Sequence, residues 1–498
     1  MLRDALAREI SKIAGGVEIK ISEPERPENG DFSTNAAFLR AKKEGRKPQD
    51  IAQELAEKLA SSKIVKRSEA KSGFLNIFLK DEVLLKALGE GVQFPKKKEK
   101  INIEFVSANP TGPLTMANAR GGFLGDALSN ILKKCGYNVI REYYINDAGG
   151  QVRLLSESIL AAEGKLPPKD EHYQGVYVKE LKGQTADQAI AIILDKIKSS
   201  LQKAGISLDV WFSENQNLRK TGELEKMLKI LESKGLAEKR EGAIWFGPPA
   251  GGRVLIKSNG EPTYLLADLA YQHQKLTQRK FDRAITVVGA DHQAEVVGVL
   301  KGIESLGIPS GRLKIFITQL VRLVSGGKEV KMSKRKGEFI TLEELLNEVG
   351  LDAARWFFLS HAPETHMDFD LDLAKERSEK NPVYYVQYAH TRMASILGKS
   401  NSQPSTKNYK LFGHPSERVL VVKILRYPEL LEDISRDYQI HRLTTYAYEL
   451  AQTFSAFYRD VKVIGSEREA ELLYLVSKTK SILADVLKLM GISQPEKM

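Results

Sequence analysis

Apolar and polar residues alternate from Ile101 to Phe105, with Ile101, Ile103 and Phe105 set against Asn102 and Glu104. That two-residue period predicts a pleated strand. The run Asn109-Pro110-Thr111-Gly112-Pro113 ends it, because two prolines and a glycine exclude regular structure. The period then lengthens. Phe123, Leu124, Ala127, Leu128, Ile131 and Leu132 mark one helical face, Lys133 and Lys134 fill the last turn, and Gly136 can cap it. Val139, Arg141, Tyr143 and Ile145 read as a second strand. Strand, loop, helix and strand make the first half of a parallel, doubly wound nucleotide-binding unit. The opening of such a helix offers free N–H groups and a positive dipole end, which suits a phosphate. The loop has no G-x-G-x-x-G and is no phosphate-binding loop of the usual kind.

The same patterning divides the rest of the chain. Residues 1–90 predict a small α/β module, with a helix on Leu2, Leu6, Ile10 and Ile13, a helix opened by Pro48, and an alternating strand at 73–79. A charged linker, Phe94–Lys100, leads into a large domain over residues 100–375. Its stretch at about 160–250 is more polar and is expected to be an insertion of helices and a small hairpin. A helix starts after Glu261-Pro262-Thr263, and Ala284–Gly289 is a continuous apolar strand of the kind buried on both faces. Leu313–Thr318 is the next strand, and Thr341 with Glu344 predicts a capping box. Residues 376–498 are expected to be helical, with a Ser/Pro/Lys-rich connector, Lys399–Lys407, ahead of helices near 415–436, 438–462 and 467–490. The expected architecture is therefore α/β: a large doubly wound parallel-sheet (Rossmann-type) domain, a small N-terminal α/β domain and a C-terminal all-α bundle.

Composition adds partners rather than fold. The 498 residues carry a net charge of +11 and a pI of about 9.2. A basic surface is compatible with no partner at all, but it also fits a polyanion such as nucleic acid. One cysteine, Cys135, excludes an internal disulfide framework, and no Cys/His cluster suggests structural zinc. No apolar run reaches membrane-spanning length, and the amphipathic, acid-bearing start is unlike a signal peptide, so the cytoplasm is expected.

The chemistry sits on two loops. Lys331-Met332-Ser333-Lys334 lies in a glycine-bounded, five-cation stretch, and its lysines can neutralise charge on a departing pyrophosphate. The bland reading is a solvated basic loop, but this order of residues after a parallel-sheet domain resembles the KMSKS signature of class I aminoacyl-tRNA synthetases. The matching first signature, HIGH in that family, falls on Thr115-Met116-Ala117-Asn118. This is a departure: Asn118 can still donate to phosphate, while Thr115 offers a hydroxyl in place of an imidazole. Further blocks narrow the resemblance to arginyl-tRNA synthetase over essentially the whole chain. They are Pro27–Asn35, Ser107–Leu114, Tyr143–Gly149, Val288–His292, Lys331–Gly337, Val383–His390 and the closing Pro495–Met498.

The resemblance implies ATP, with Mg²⁺ as its companion, arginine and an arginine-accepting tRNA as ligands, no membrane partner, and a monomer. It implies catalytic roles for Thr115, Asn118, Lys331 and Lys334, with ATP contacts from Pro113, Gly289, Asp291, His292, Met332 and Ser333. Asp268, one helical turn beyond Tyr264, is the implied partner of the arginine guanidinium, which needs a carboxylate accepting two N–H bonds. Asn109 and Asp147 would take the α-amino and carboxylate groups, although Asn and Asp at such positions also simply form turns. Asn35 in the N-terminal module is expected at the tRNA elbow, and Tyr384, Tyr388, Arg392 and Met498 at the anticodon. For any one tyrosine, packing within the bundle is the simpler role. Two rivals stand beside arginine–tRNA ligation: a catalytically impaired RNA-binding paralogue, and another adenylyltransferase on the same sheet.

Overall fold

The structure is a computed structural model, and it describes residues 1–24, 26–91, 93–247, 252–330, 340–405 and 412–498. At its centre five parallel strands lie in the order Leu313–Thr318, Arg283–Gly289, Lys100–Glu104, Asn138–Ile145, Val210–Ser213. The chain winds outward in one direction from Lys100–Glu104 and in the other from Arg283–Gly289. The crevice beyond the carboxyl ends of those two strands is the switch point at which doubly wound sheets bind ligands. The loop at Asn109 and the turn at Gly289 both open into it.

One strand of this sheet was hidden in the sequence. Val210–Ser213 lies inside the polar stretch expected to be an insertion, yet it pairs in parallel with Glu142–Ile145. At four residues it is too short to carry a period. The rest of that stretch is helical, chiefly Ala186–Lys203, which opens with a Thr185–Gln188 capping box. A three-stranded antiparallel sheet follows, formed by Ala237–Arg240, Ala243–Phe246 and Arg253–Ile256.

The helix Met116–Lys134 is buried nearly all round. Its glycines let it press on the sheet: a Cβ on Gly125 would lie 2.2 Å from Cγ of Phe105. Arg355, fully buried, ties this helix to other parts of the molecule. It donates to Asp126 (2.8 Å), to the Ala204 carbonyl (2.8 Å) and to the Met490 carbonyl (2.9 Å).

Before the central sheet, residues 1–90 fold as a four-stranded antiparallel sheet with four helices. After it, Pro382–Lys399, Pro415–Leu425, Tyr427–Asp437, His441–Asp460 and Glu469–Leu489 form an all-helical bundle. The hydrophobic pattern runs through 415–436, but the helix breaks at Arg426 because Pro428 has no N–H to continue the ladder.

Candidate active site

The first strand delivers its loop through a strained turn. Val106 and Ser107 adopt φ of 69° and 37°. For a β-branched residue this is an outlier, of order 1–3 kcal/mol, that persists only where its surroundings enforce it. Ser107 Oγ donates to Glu104 (3.2 Å) and accepts from the Tyr144 N–H (3.0 Å), while the Tyr143 hydroxyl donates to the Ala108 carbonyl (2.7 Å). Asn109 emerges exposed, and Asn146 Nδ2 donates to its Oδ1 (3.1 Å). Asp147 accepts from Ser213 Oγ (2.5 Å) and the Asn215 N–H (2.9 Å), so it joins two strand ends. Pro113 is half-buried at the end of this loop.

Thr115 is the N-cap of Met116–Lys134. Its backbone N–H lies 2.9 Å, and its hydroxyl 3.0 Å, from Oδ1 of Asn118. The chain emerging from the second signature runs beside this cap. The Met116 N–H donates to the Ile340 carbonyl (3.0 Å), and the Leu342 N–H to the Leu114 carbonyl (2.9 Å). Lys331, Met332, Ser333 and Lys334 themselves lie outside the described residues. Arg120, one turn further along the helix and buried, donates to the Gln319 (2.7 Å), Ala362 (2.9 Å) and Thr365 (2.7 Å) carbonyls. Burial lowers its pKa, against a smaller opposing pull from Glu364.

Beneath the crevice lies an acidic floor. Glu104 is paired with the fully buried Lys275 (2.7 Å), Glu142 with Arg279 and the Tyr271 hydroxyl, and Glu214 with Arg219 (2.6 Å) and the Tyr144 hydroxyl (2.9 Å). Asp268 differs. It stands on the helix Tyr264–Thr277, closely surrounded by protein yet with some surface open, and among the described residues no group donates to it. Burial, then the fields of Glu104, Glu295 and Glu214, push its carboxyl up to about 8, against a smaller opposing pull from His292. A carboxylate that costs this much to ionise lacks a cation that its neighbours have. Tyr264, one turn earlier, is 47% exposed at the rim.

Across the switch point, Gly289 ends its strand, and a Cβ there would lie 2.5 Å from Oδ1 of Asp291. Asp291 is exposed; His292 lies 2.9 Å from Glu295, whose hydrogen bond raises the imidazole pKa. The loop after Lys100–Glu104 carries Asn109 and Pro113 and leads to Thr115 and Asn118 at the helix opening, the neighbouring parallel strand ends at Gly289 ahead of Asp291 and His292, and Tyr264 and Asp268 stand on the helix Tyr264–Thr277. Asp147 follows the neighbouring strand Asn138–Ile145, and the residues expected at the tRNA lie on the other domains. Asn35 is exposed at the start of Ala36–Glu44, beside the exposed Phe38 and Leu39, and Phe74 packs edge-on to Phe38 (5.1 Å). Tyr388 is exposed and Tyr384 half-buried on Pro382–Lys399, while Arg392 lies over the Tyr458 ring (4.7 Å). The chain end is laid along the same helix, with Thr391 donating to the Pro495 carbonyl (2.9 Å), and Met498 is exposed.

Sequence reasoning missed Glu214, Arg120 and Tyr173. Glu214 opens the π-helical turn Asn215–Arg219, a local irregularity that often marks function but leaves no pattern in a sequence. Tyr173, from the inserted segment, meets Gln151 and lies by Thr111, which joins the loops after the first two strands.

Comparison with known proteins identifies the family. Three family models match: "Arginyl tRNA synthetase N terminal domain" over residues 1–79, "tRNA synthetases class I (R), catalytic domain" over 81–165 and 168–358, and "DALR anticodon binding domain" over 386–498. The arginine–tRNA ligase of Carboxydothermus hydrogenoformans is 39% identical over 526 residues, covering 96% of this chain and 94% of its own. That of Bacillus pumilus is 36% identical, covering 100% and 99%. The arginyl-tRNA synthetase of Thermus thermophilus, at 24% identity, shares the fold with a TM-score of 0.83 over the full length of both chains. Matched over most of its length by these three models and over 96–100% by its relatives, this chain belongs to the arginyl-tRNA synthetase family of class I.

Proposed function

We infer that the chain joins arginine to its tRNA in two steps at the crevice. The arginine carboxylate attacks the α-phosphorus of ATP, which arrives as its Mg²⁺ complex, and pyrophosphate leaves. A terminal ribose hydroxyl of the tRNA then attacks the arginyl carbonyl and AMP leaves. No side chain forms a covalent bond. The protein positions the reactants and stabilises charge on phosphoryl oxygens.

One observation carries this reading: among the acids of the floor, Asp268 alone has no donor among the described residues. A guanidinium supplies two N–H bonds and a permanent charge, so it matches what Asp268 lacks. Tyr264 is poised to cover it. Asn109 and Asp147 are the candidates for the amino acid's α-groups; Pro113, Gly289, Asp291 and His292 for the adenosine; Asn118, Lys331 and Lys334 for the phosphates, with Met332 and Ser333 between those lysines.

The N-terminal module, with Asn35, Phe38 and Phe74 exposed, is suited to the tRNA elbow. The bundle, with Tyr384, Tyr388, Arg392 and Met498, is suited to splayed anticodon bases. No helix among the described residues is long and apolar enough to cross a membrane. We take the working form to be a cytoplasmic monomer. The test is to offer ATP, each amino acid and total tRNA. Arginine alone should become attached; any other amino acid, or attachment of none, rejects the reading, the latter in favour of an impaired RNA-binding paralogue.

A further inference from the structure

The geometry at the helix opening forces an orientation on Asn118. A backbone N–H can only donate, and that of Thr115 lies 2.9 Å from one terminal atom of the Asn118 amide. That atom is therefore the oxygen, and the NH₂ group points the other way. The Thr115 hydroxyl lies 3.0 Å from the same oxygen. An amide oxygen only accepts, so the hydroxyl donates its single proton there. What Thr115 then shows to its surroundings is lone pairs. A phosphate oxygen also has only lone pairs, so while this box is closed Thr115 offers ATP no hydrogen bond.

We propose that Thr115 is a positioning residue rather than a phosphate donor: it locks the Asn118 amide so that both Nδ2 protons face the ATP phosphates. This rests on the functional reading above and assigns to one side chain what the sequence suggested for two. The departure from the family's first signature acquires a physical sense. The threonine gives up its own contact with the ligand and fixes the asparagine that makes one. Asn118 is half-buried, and its first-turn neighbours Met116 and Ala119 are buried, so the amide stands on a rigid frame. Two donors to one oxygen also exclude the flipped amide, which would set the Nδ2 protons against the Thr115 N–H.

A double-mutant cycle on the full-length chain tests this, with tRNA-dependent ATP–pyrophosphate exchange as the readout and arginine as the amino acid. Asn118→Ala should slow exchange by about 10²–10³-fold, the usual loss for one transition-state donor. Thr115→Val, which keeps the branched shape without the proton, should slow it at least tenfold, with the arginine KM unchanged. Thr115→Ser should stay within threefold of the starting enzyme, because its hydroxyl can reach the same oxygen. In the Asn118→Ala background, Thr115→Val should change nothing further. Losses that multiply in the double variant would show that Thr115 reaches substrate on its own account and would overturn the proposal. So would a Thr115→Ser enzyme as slow as Thr115→Val. Thermal melting of each variant separates a weakened helix cap from lost chemistry: a Thr115→Val enzyme that melts earlier but exchanges at the full rate also overturns it. If the unaltered enzyme gave no arginine-dependent exchange, the functional reading itself would fall, which is a different result from additive losses in an active enzyme.

Discussion

Asp268 makes the guanidinium site measurable through protons. Its carboxyl titrates at about 8 in the free protein, against an ordinary value of 3.8, because burial and three neighbouring acids oppose the charge. At pH 7 the free site is therefore mostly protonated. A guanidinium needs the ionised form, so arginine must displace a proton on binding. The expected outcome is a dissociation constant that falls about tenfold per pH unit up to about pH 8 and then levels, with uptake of the released proton visible by calorimetry in buffers of different ionisation enthalpy. A pH-independent affinity between 6 and 8 would mean that Asp268 does not face the guanidinium. The sign for the free protein is the opposite. A carboxyl raised in the folded state favours folding while protonated, so the unliganded chain loses stability as pH climbs from about 4 to about 8. Asp268→Asn should remove that loss and weaken arginine by roughly 2–5 kcal/mol, with the ATP KM unchanged.

At the scale of elements, the helix Met116–Lys134 and the strand before it are one packed unit. Gly125→Ala sets two effects against each other. Alanine is the better helix former by about 1 kcal/mol. Its Cβ, however, would lie 2.2 Å from Cγ of the fully buried Phe105, and overpacking costs about 1–3 kcal/mol. The clash should win, and thermal denaturation should show a lower midpoint; an unchanged or raised midpoint would mean that helix and strand separate at little cost. That this helix follows this strand was legible, since both periods are long and uninterrupted. Val210–Ser213 was not, because four residues at a sheet edge carry no period and only pairing with Glu142–Ile145 defines them. The site divides in the same way. Residues in continuous blocks, such as Ser107–Leu114 and Val288–His292, could be read locally. The pairing of Glu104 with Lys275, 171 positions away, could not, and neither could the contrast that leaves Asp268 unpaired. Thr115 and Asn118 were visible as residues, but the direction of the bond between them was not, because it depends on which amide atom faces a backbone N–H.

At the scale of the whole molecule, the two surfaces assigned to tRNA belong to domains that grip each other directly. Arg418 of the bundle donates to Asp31 (2.5 Å), to Asp81 and to the Leu79 carbonyl (2.8 Å) of the N-terminal module. Arg426 reaches the Asp31 carbonyl and lies over the Phe32 ring (3.7 Å), and Arg3 pairs with Asp433 (2.5 Å). Asp31 is buried, so removing Arg418 leaves a carboxylate with one remaining donor among the described residues, the Leu79 N–H at 2.6 Å. Breaking one side of a buried pair costs about 3–5 kcal/mol. Because that donor stays and Arg418 is itself partly exposed, the lower end or less is expected. The loss falls on the relation between the domains, not on the crevice. Arg418→Ala should therefore raise the tRNA KM several-fold and leave the arginine and ATP KM values unchanged. Salt identifies the cause. Phosphate contacts make log affinity fall linearly with log salt, with a slope set by how many phosphates are neutralised. If Arg418 holds the domains in register and touches no phosphate, the variant's line should run parallel to that of the unaltered enzyme and lie below it. A shallower slope would place Arg418 on the RNA, and an unchanged tRNA KM would mean that the two surfaces bind without needing a fixed relation.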